Sequence, residues 1–208
     1  MAGGRRADIL PVMSPPALTI ETLSGSAAKS ALPALAKLRT VVFRAFPYLY
    51  EGDEAYERTY LRTYLEVPGA AIVLAKDEGQ IVGASTCLPL AAETPNVQQP
   101  FLNARLDISR ILYFGESVLL PAYRGRGVGV AFFKAREAQA AGYETTCFCA
   151  VQRPSNHKLR PKDYVPLDEF WRRRGYQRHD NLVCSMSWRD IGEASDTTKH
   201  LTFWTKTL

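Results

Sequence analysis

The chain has 208 residues, with 46% apolar and 23% charged side chains and a formal net charge of +5. That length suits one domain with a sizeable core, and the composition is ordinary for a globular protein. The charge is dispersed and offers no aromatic–basic platform for nucleic acid, no stretch approaches the ~20 apolar residues of a membrane span, and no zinc-finger spacing, repeat or low-complexity tract occurs.

Met1–Pro16 (MAGGRRADILPVMSPP) reads as a mobile leader ahead of a single domain over residues 17–208. Its apolar run is short and broken by Pro11, which argues against a secretory signal. Leu18–Leu23 alternates like a strand. Ser26–Arg44 reads as a helix, with Leu32, Leu35, Leu38, Val41 and Val42 near helical spacing. Asp53–Glu66 reads as a second helix, capped by Asp53 and striped by Tyr56, Tyr60, Leu61, Tyr64 and Leu65. Ala70–Ala75 and Ile81–Leu90 flank Lys76-Asp77-Glu78-Gly79-Gln80 as a hairpin. Val97–Asn103 is a short helix in a less regular stretch.

Ile111–Leu120 has the aliphatic and aromatic composition of a buried strand, ended by Pro121. After the turn Arg124–Gly129 a helix runs to Ala141. In it Val130, Phe133, Ala138 and Ala141 keep an apolar stripe, while Lys134, Arg136 and Glu137 face elsewhere; Gly142 supplies the stop. Glu144–Val151 is a strand. Gln152–Val165 is a long polar loop carrying Arg153, His157, Lys158, Arg160 and Lys162. Pro166–Arg174 is a short helix ending at Gly175, with an arginine run, Arg172 to Arg174, on an exposed face. Leu182–Trp188 and His200–Lys206 are further strands. The sum is a mixed α/β (α+β) fold: a central mixed sheet of about seven strands with helices on both faces. The four cysteines, Cys87, Cys147, Cys149 and Cys184, sit in strand-like apolar segments without a C-x-x-C pair, as reduced core thiols of a cytoplasmic protein would.

Strand, glycine-rich turn and helix together can cradle a pyrophosphate. Glycines let backbone N–H groups approach an anion, and the helix start adds free donors and a positive dipole end. The nucleoside-triphosphate loop needs Gly-Lys-Ser/Thr at the helix start, which is absent, and the third glycine of a dinucleotide fingerprint would fall one position early, at Gly129. Arg124-Gly125-Arg126-Gly127-Val128-Gly129 read as R-x-x-G-x-G, preceded by Val118-Leu119-Leu120-Pro121-Ala122-Tyr123, resembles the coenzyme A signature of the GNAT acetyltransferase superfamily. The element order from about Leu18 onward is similar to that superfamily as well.

The resemblance implies a GNAT fold in which Ile111–Leu120 and Thr145–Val151 splay apart, with acetyl-CoA as cofactor and no metal. It implies that the backbone from Val118 through Leu119 to Leu120 meets the pantetheine arm, and that Arg124, Gly125, Arg126, Gly127, Val128 and Gly129 take the pyrophosphate. The implied reaction is direct acetyl transfer, in a ternary complex, to the primary amine of a small molecule, by a monomer or homodimer with no nucleic-acid or membrane partner. Phe46 to Gly52 also resembles a phrase of one bacterial group in the superfamily, which implies no particular acceptor.

Such a transfer needs a neutral nitrogen, a polarised thioester carbonyl and a proton for the departing thiolate. Glu116 is the one carboxylate of the core strand. By period two it shares a face with Leu112, Phe114, Val118 and Leu120, where lost hydration would raise its pKa and favour a base. The other reading is that Glu116 pairs with an arginine or a backbone donor inside the protein. Many superfamily members carry a tyrosine acid where this chain has Trp171, in Phe170-Trp171-Arg172-Arg173-Arg174-Gly175-Tyr176; an indole N–H does not readily release a proton. Tyr164, a water, or no acid at all would then serve. Trp171 also gives weight to an alternative, a non-catalytic acyl-CoA-binding or regulatory module. For the acceptor wall the resemblance points to the segment joining the first two helices, with Phe46, Tyr48, Tyr50 and Glu51, beside Asp53, Glu54 and Glu57. Aromatic rings and acids there suit a cationic amine, although the acids also read as a solvated helix cap. His157 is a minor candidate base.

Overall fold

The computed structural model describes residues 18–208. The expected leader lies outside the described residues. The elements are β1 (Thr19–Leu23), α1 (Leu32–Phe43), α2 (Glu54–Tyr60), α3 (Thr63–Glu66), β2 (Ala71–Asp77), β3 (Gln80–Pro89), α4 (Pro95–Asn103), β4 (Ile111–Leu119), α5 (Val128–Glu137), β5 (Thr145–Val151), α6 (Asp168–Arg172), β6 (Gln177–Trp188) and β7 (Thr197–Thr207), with short 3-10 turns between some of them. They build one seven-stranded sheet in the order β1-β2-β3-β4-β5-β7-β6. Every neighbouring pair is antiparallel except β4–β5.

Local chemistry accounts for most of these elements. Ala71–Ala75 is buried throughout, as a central strand must be. Glu78 (φ 48) and Gly79 (φ 81) are both left-handed, the two-residue turn that matches strand twist in a hairpin. Asp53 caps α2 by accepting from the Ala55 and Tyr56 amides. The expected first helix is split: Gly25–Ala31 is 3-10, and α1 begins only at Leu32, with Pro33 in its first turn where the missing N–H costs nothing. The expected second helix is also two, because a tight turn at Leu61 separates α2 from α3. That turn aligns Leu61 and Tyr64, both fully buried, three residues apart on one side.

One face of the sheet carries α1, α3 and α4, whose Leu35, Leu38, Tyr64, Val97 and Phe101 pack with Ile111, Tyr113 and Val118 of β4. The other carries α5 and α6. There Phe133, Phe170 and Trp171 pack with Leu112, Phe114, Phe148, Tyr176 and Trp204, and Phe132 packs with Val73 and Val82. The stripe expected on α5 needs correction. Its buried side chains are Val128, Phe132, Phe133 and Arg136, while Ala138 and Ala141 are exposed. Arg136 is 2% exposed and lies over the Phe114 ring (4.3 Å) and the Phe133 ring (4.9 Å).

Two features of the sheet shape its centre. The parallel β4–β5 ladder holds only Ile111↔Thr145, Leu112↔Thr146 and Tyr113↔Cys147, and beyond these the strands diverge. The second is a bulge in β4: Ser85 pairs Ser117 but Cys87 pairs Phe114, so three steps on β4 oppose two on β3. The four cysteines are free and buried, as their sequence context implied.

Candidate active site

The bulge splits the expected face of Glu116, which stays with Val118 but parts from Leu112 and Phe114. Strict alternation would put its side chain with Leu112 and Phe114, towards α5. The extra residue reverses the parity, and Glu116 emerges towards α1 and α2. A Cβ on Gly115 would point the same way, 2.3 Å from the Tyr64 hydroxyl. The Glu116 amide donates to Thr86 Oγ1 (3.1 Å), and Arg136 Nη1 approaches its carbonyl at 3.5 Å from the opposite face.

There Glu116 meets an arginine that the sequence pattern does not single out. Arg39 Nη1 donates to Glu116 Oε2 at 2.6 Å, and Arg39 Nε donates to Glu57 Oε2. The guanidinium also lies over the Phe43 ring (5.1 Å) and the Tyr60 ring (4.7 Å). Side-chain exposure is 12% for Arg39, 3% for Glu116 and nil for Glu57. Oε1 of each glutamate has no well-aligned hydrogen-bond partner among the described residues. Burial raises the pKa of Glu116; Arg39 opposes that shift and the charge of Glu57 adds to it. Burial disfavours the Arg39 charge too, but Glu116, Tyr60 and Glu57 more than compensate and hold it protonated. The internal pairing with an arginine, one of the two readings of Glu116, is thus the geometry found.

The acceptor-wall candidates scatter around this cluster. Tyr48 packs on Phe43 (4.5 Å) and Trp188 (6.0 Å), and its hydroxyl pKa is raised by burial. Tyr50 forms an isolated bridge with Asp190, and its hydroxyl is raised by burial and by Glu57. Phe46 meets Tyr164 edge-on at 4.7 Å and His157 at 5.7 Å. Glu51 turns outward to Arg44 (3.0 Å), whose hydrogen bond lowers its pKa. Tyr164 therefore comes to Phe46 and Arg160, and no hydrogen bond joins it to Glu116 among the described residues. Trp171 packs into the aromatic cluster, 5.1 Å from both Phe148 and Trp204.

At the other end of β4, Gly125 (φ 75) and Gly127 (φ 80) are left-handed, and an added Cβ on either would meet open space. The Ala131 amide donates to the Gly127 carbonyl at 3.1 Å, which leaves the amides of Val128, Gly129 and Val130 at the head of α5 without a helical acceptor. Arg124 and Arg126 are exposed. An open cradle of free amides with two flanking cations fits a pyrophosphate. The lack of a side chain at Gly129 serves helix packing as well. A Cβ there would lie 3.1 Å from the Phe170 ring, so its absence permits α5 to approach α6.

The strand edge requires a one-residue correction. The Leu120 amide donates to the Val82 carbonyl at 3.0 Å. In an antiparallel pair the polar groups alternate between the two sides, so those of Val118, paired with Ala84, also turn to β3. The backbone groups of Ser117 and Leu119, and not those of Val118 and Leu120, face the gap left by β5. The amide of Arg124 is likewise already used, by the Pro121 carbonyl.

Splayed parallel strands, a bulge and an amide cradle at the helix start accord with a further finding: the model of the acetyltransferase (GNAT) family matches residues 35–161. The chain belongs to that family. This acetyltransferase is therefore an enzyme of the acyltransferase class. Its fold is shared with a ribosomal-protein-alanine N-acetyltransferase from Brucella melitensis, at 16% identity and TM-score 0.59 over 92% of this chain and 100% of that one. The structure of yncA from Salmonella typhimurium, which holds its cofactor acetyl-CoA, is 12% identical with TM-score 0.57 over 92% and 94% of the two chains. An acetyltransferase from Thermus thermophilus is 13% identical with TM-score 0.55, over 92% and 97%. At such identities the likeness is one of fold. No curated protein matches the acetyltransferase significantly. Among the described residues no helix is long and apolar enough to cross a membrane, and no group of three or more His, Cys, Asp or Glu could hold a metal ion.

Proposed function

We propose that the enzyme acetylates the primary amine of a small-molecule acceptor, by direct transfer from acetyl-CoA in a ternary complex. Bound acetyl-CoA supplies an activated acyl group on a thioester. Gly125 to Gly127 and the free amides of Val128 to Val130 hold its pyrophosphate, with Arg124 and Arg126 adding charge. The edge groups of Ser117 and Leu119 take the pantetheine arm as an added strand would. Phe46, Tyr48 and Tyr50 form the acceptor wall, and the four buried free thiols suit a reducing compartment such as the cytoplasm.

The single observation that carries the reading is the position of Glu116, at the bulge where β4 and β5 part. An ammonium must lose a proton before its nitrogen can attack a carbonyl. Glu116 accepts that proton, aided by a desolvated site that raises its affinity for one. The departing sulfur draws its proton from Tyr164 or from water, since Trp171 replaces the usual acid. We expect acetyl-CoA turnover with one or more members of an amine panel, and a rate lower by about 10² to 10⁴ in Glu116→Gln with coenzyme A affinity retained. A fully active Glu116→Gln enzyme would remove Glu116 from proton transfer.

A further inference from the structure

Glu116 presents a difficulty as a proton acceptor, and Glu57 resolves it. A buried carboxylate whose counterion is an arginine cannot be neutralised freely, because protonation leaves a desolvated guanidinium without a partner. Arg39 cannot follow by releasing a proton of its own. In this enzyme, however, two carboxylates from different elements share the one guanidinium. Glu57 of α2 takes Arg39 through Nε, and Glu116 of β4 takes it through Nη1 at 2.6 Å. Glu57 has no exposed surface, and Arg39 is further fixed between the rings of Phe43 and Tyr60.

We propose that Glu57 is a positioning residue, the standing counterion of Arg39, and that it frees Glu116 to take and release a proton while Arg39 stays paired. The two glutamates then divide the work. The proton leaves the acceptor ammonium for Glu116, so the cluster passes from net −1 to neutral, and water later takes it away. Arg39 keeps its bond to Glu57 in both states, so no buried cation is stranded. The proposal rests on the reading of Glu116 as the proton acceptor. It adds two residues, Arg39 and Glu57, that touch neither acyl donor nor acceptor in their stated role.

The groups facing Glu116 come from every side. They are Arg39 of α1, Tyr48 of the following loop, Glu57 and Tyr60 of α2, Tyr64 of α3, Glu93 before α4, and Arg136 of α5 at its carbonyl. Among the described residues, only Arg39 and Glu57 are tied to it through shared ion pairs.

The test needs no acceptor. Glutamate carboxyls of the coenzyme-free protein are labelled with ¹³C and titrated by NMR, the Glu116 signal being identified by its absence in Glu116→Gln. Wild type should show Glu116 titrating above the ordinary carboxylate range, because burial and the charge of Glu57 outweigh Arg39. Glu57→Gln leaves Arg39 wholly to Glu116 and should lower its midpoint by about one pH unit or more. Arg39→Met should raise it by about 1 to 3 units. Opposite shifts are the signature, because simple loosening would admit water and lower both midpoints. If Glu57→Gln does not fold, the rise in Arg39→Met still decides, and if Arg39→Met does not fold, Arg39→Gln supplies the upward shift that loosening cannot imitate. A Glu57→Gln midpoint that stays or rises, or an Arg39→Met midpoint that falls, overturns the proposal. A correct titration pattern with an undiminished rate in Glu116→Gln overturns instead the role of Glu116 on which it rests.

Discussion

At Gly115 the space for a side chain is already taken, by the Tyr64 hydroxyl 2.3 Å and Thr86 Oγ1 2.7 Å from where a Cβ would sit. Gly115→Ala should therefore lower stability by about 1–3 kcal/mol in thermal denaturation. The same change in a Tyr64→Phe background should cost clearly less, because one of the two obstacles is gone. Equal losses in both backgrounds would mean that the strain lies elsewhere. The bulge that creates this crowding was not legible in the sequence. A bulge adds one residue without changing composition, and only the glycine inside a strand hinted at it. Glu116 was legible as a singular carboxylate, but its face was not. Arg39 and Arg136 were missed for one reason: each is a charge within an apolar stripe, and its partners are remote in sequence. Glu57, between Tyr56 and Arg58, looked like an acid of a solvated helix start.

The β4–turn–α5 element was the most legible part, because its signal is local: glycines and arginines in a short run between a strand and a helix. Its test is local too. Gly127 is left-handed with open space around it. An alanine there would bring backbone strain alone, of about 1 kcal/mol, whereas an aspartate adds a negative charge beside the free amides. Calorimetry should find coenzyme A binding abolished in Gly127→Asp and only weakened in Gly127→Ala, with far-UV spectra unchanged in both. Binding unaffected by the aspartate would move the pyrophosphate elsewhere. Other element ends were harder to read. β6 starts at Gln177, ahead of the expected Leu182, because its first five residues lie on an outer edge and carry no alternation of apolar side chains. α6 is shorter than expected, and the left-handed Gly175 follows it as a turn.

Across the whole molecule, Arg153 ties together regions that the sequence keeps far apart. It donates to the Pro47 and Tyr48 carbonyls, both at 2.8 Å, and doubly to Asp190 at 2.7 and 2.9 Å; Lys199 also reaches Asp190 at 3.2 Å. The sequence placed Arg153 in a long polar loop, yet its side chain is only 10% exposed. Arg153→Met should cost about 3 kcal/mol, the low end for breaking a buried pair because Lys199 remains. Burial alone would raise the Asp190 pKa, but the bonds from Arg153 and Lys199 hold it below the ordinary value. A depressed carboxylate stabilises the fold above its unfolded pKa, and that share is lost as pH falls through the folded one. Acid unfolding below about pH 4 should therefore be less steep in Arg153→Met than in wild type. Coenzyme A affinity should be unchanged, and a parallel loss of it would tie Arg153 to the other end of the sheet.

The short β4–β5 ladder carries a mechanical consequence. With three rungs at the centre, the sheet is two closed leaves, one of four antiparallel strands and one of three, hinged along a single line. Beyond the hinge, contacts such as Phe133 with Phe148 (5.8 Å) and with Tyr176 (5.1 Å) span the leaves through side chains. Polar ties cross as well, from Lys206 of β7 to Glu137 of α5 (2.8 Å) and from Arg153 to the Pro47 and Tyr48 carbonyls. The backbone ladder of the sheet is thus thinnest along the line where the gap opens, and side chains hold the leaves together there.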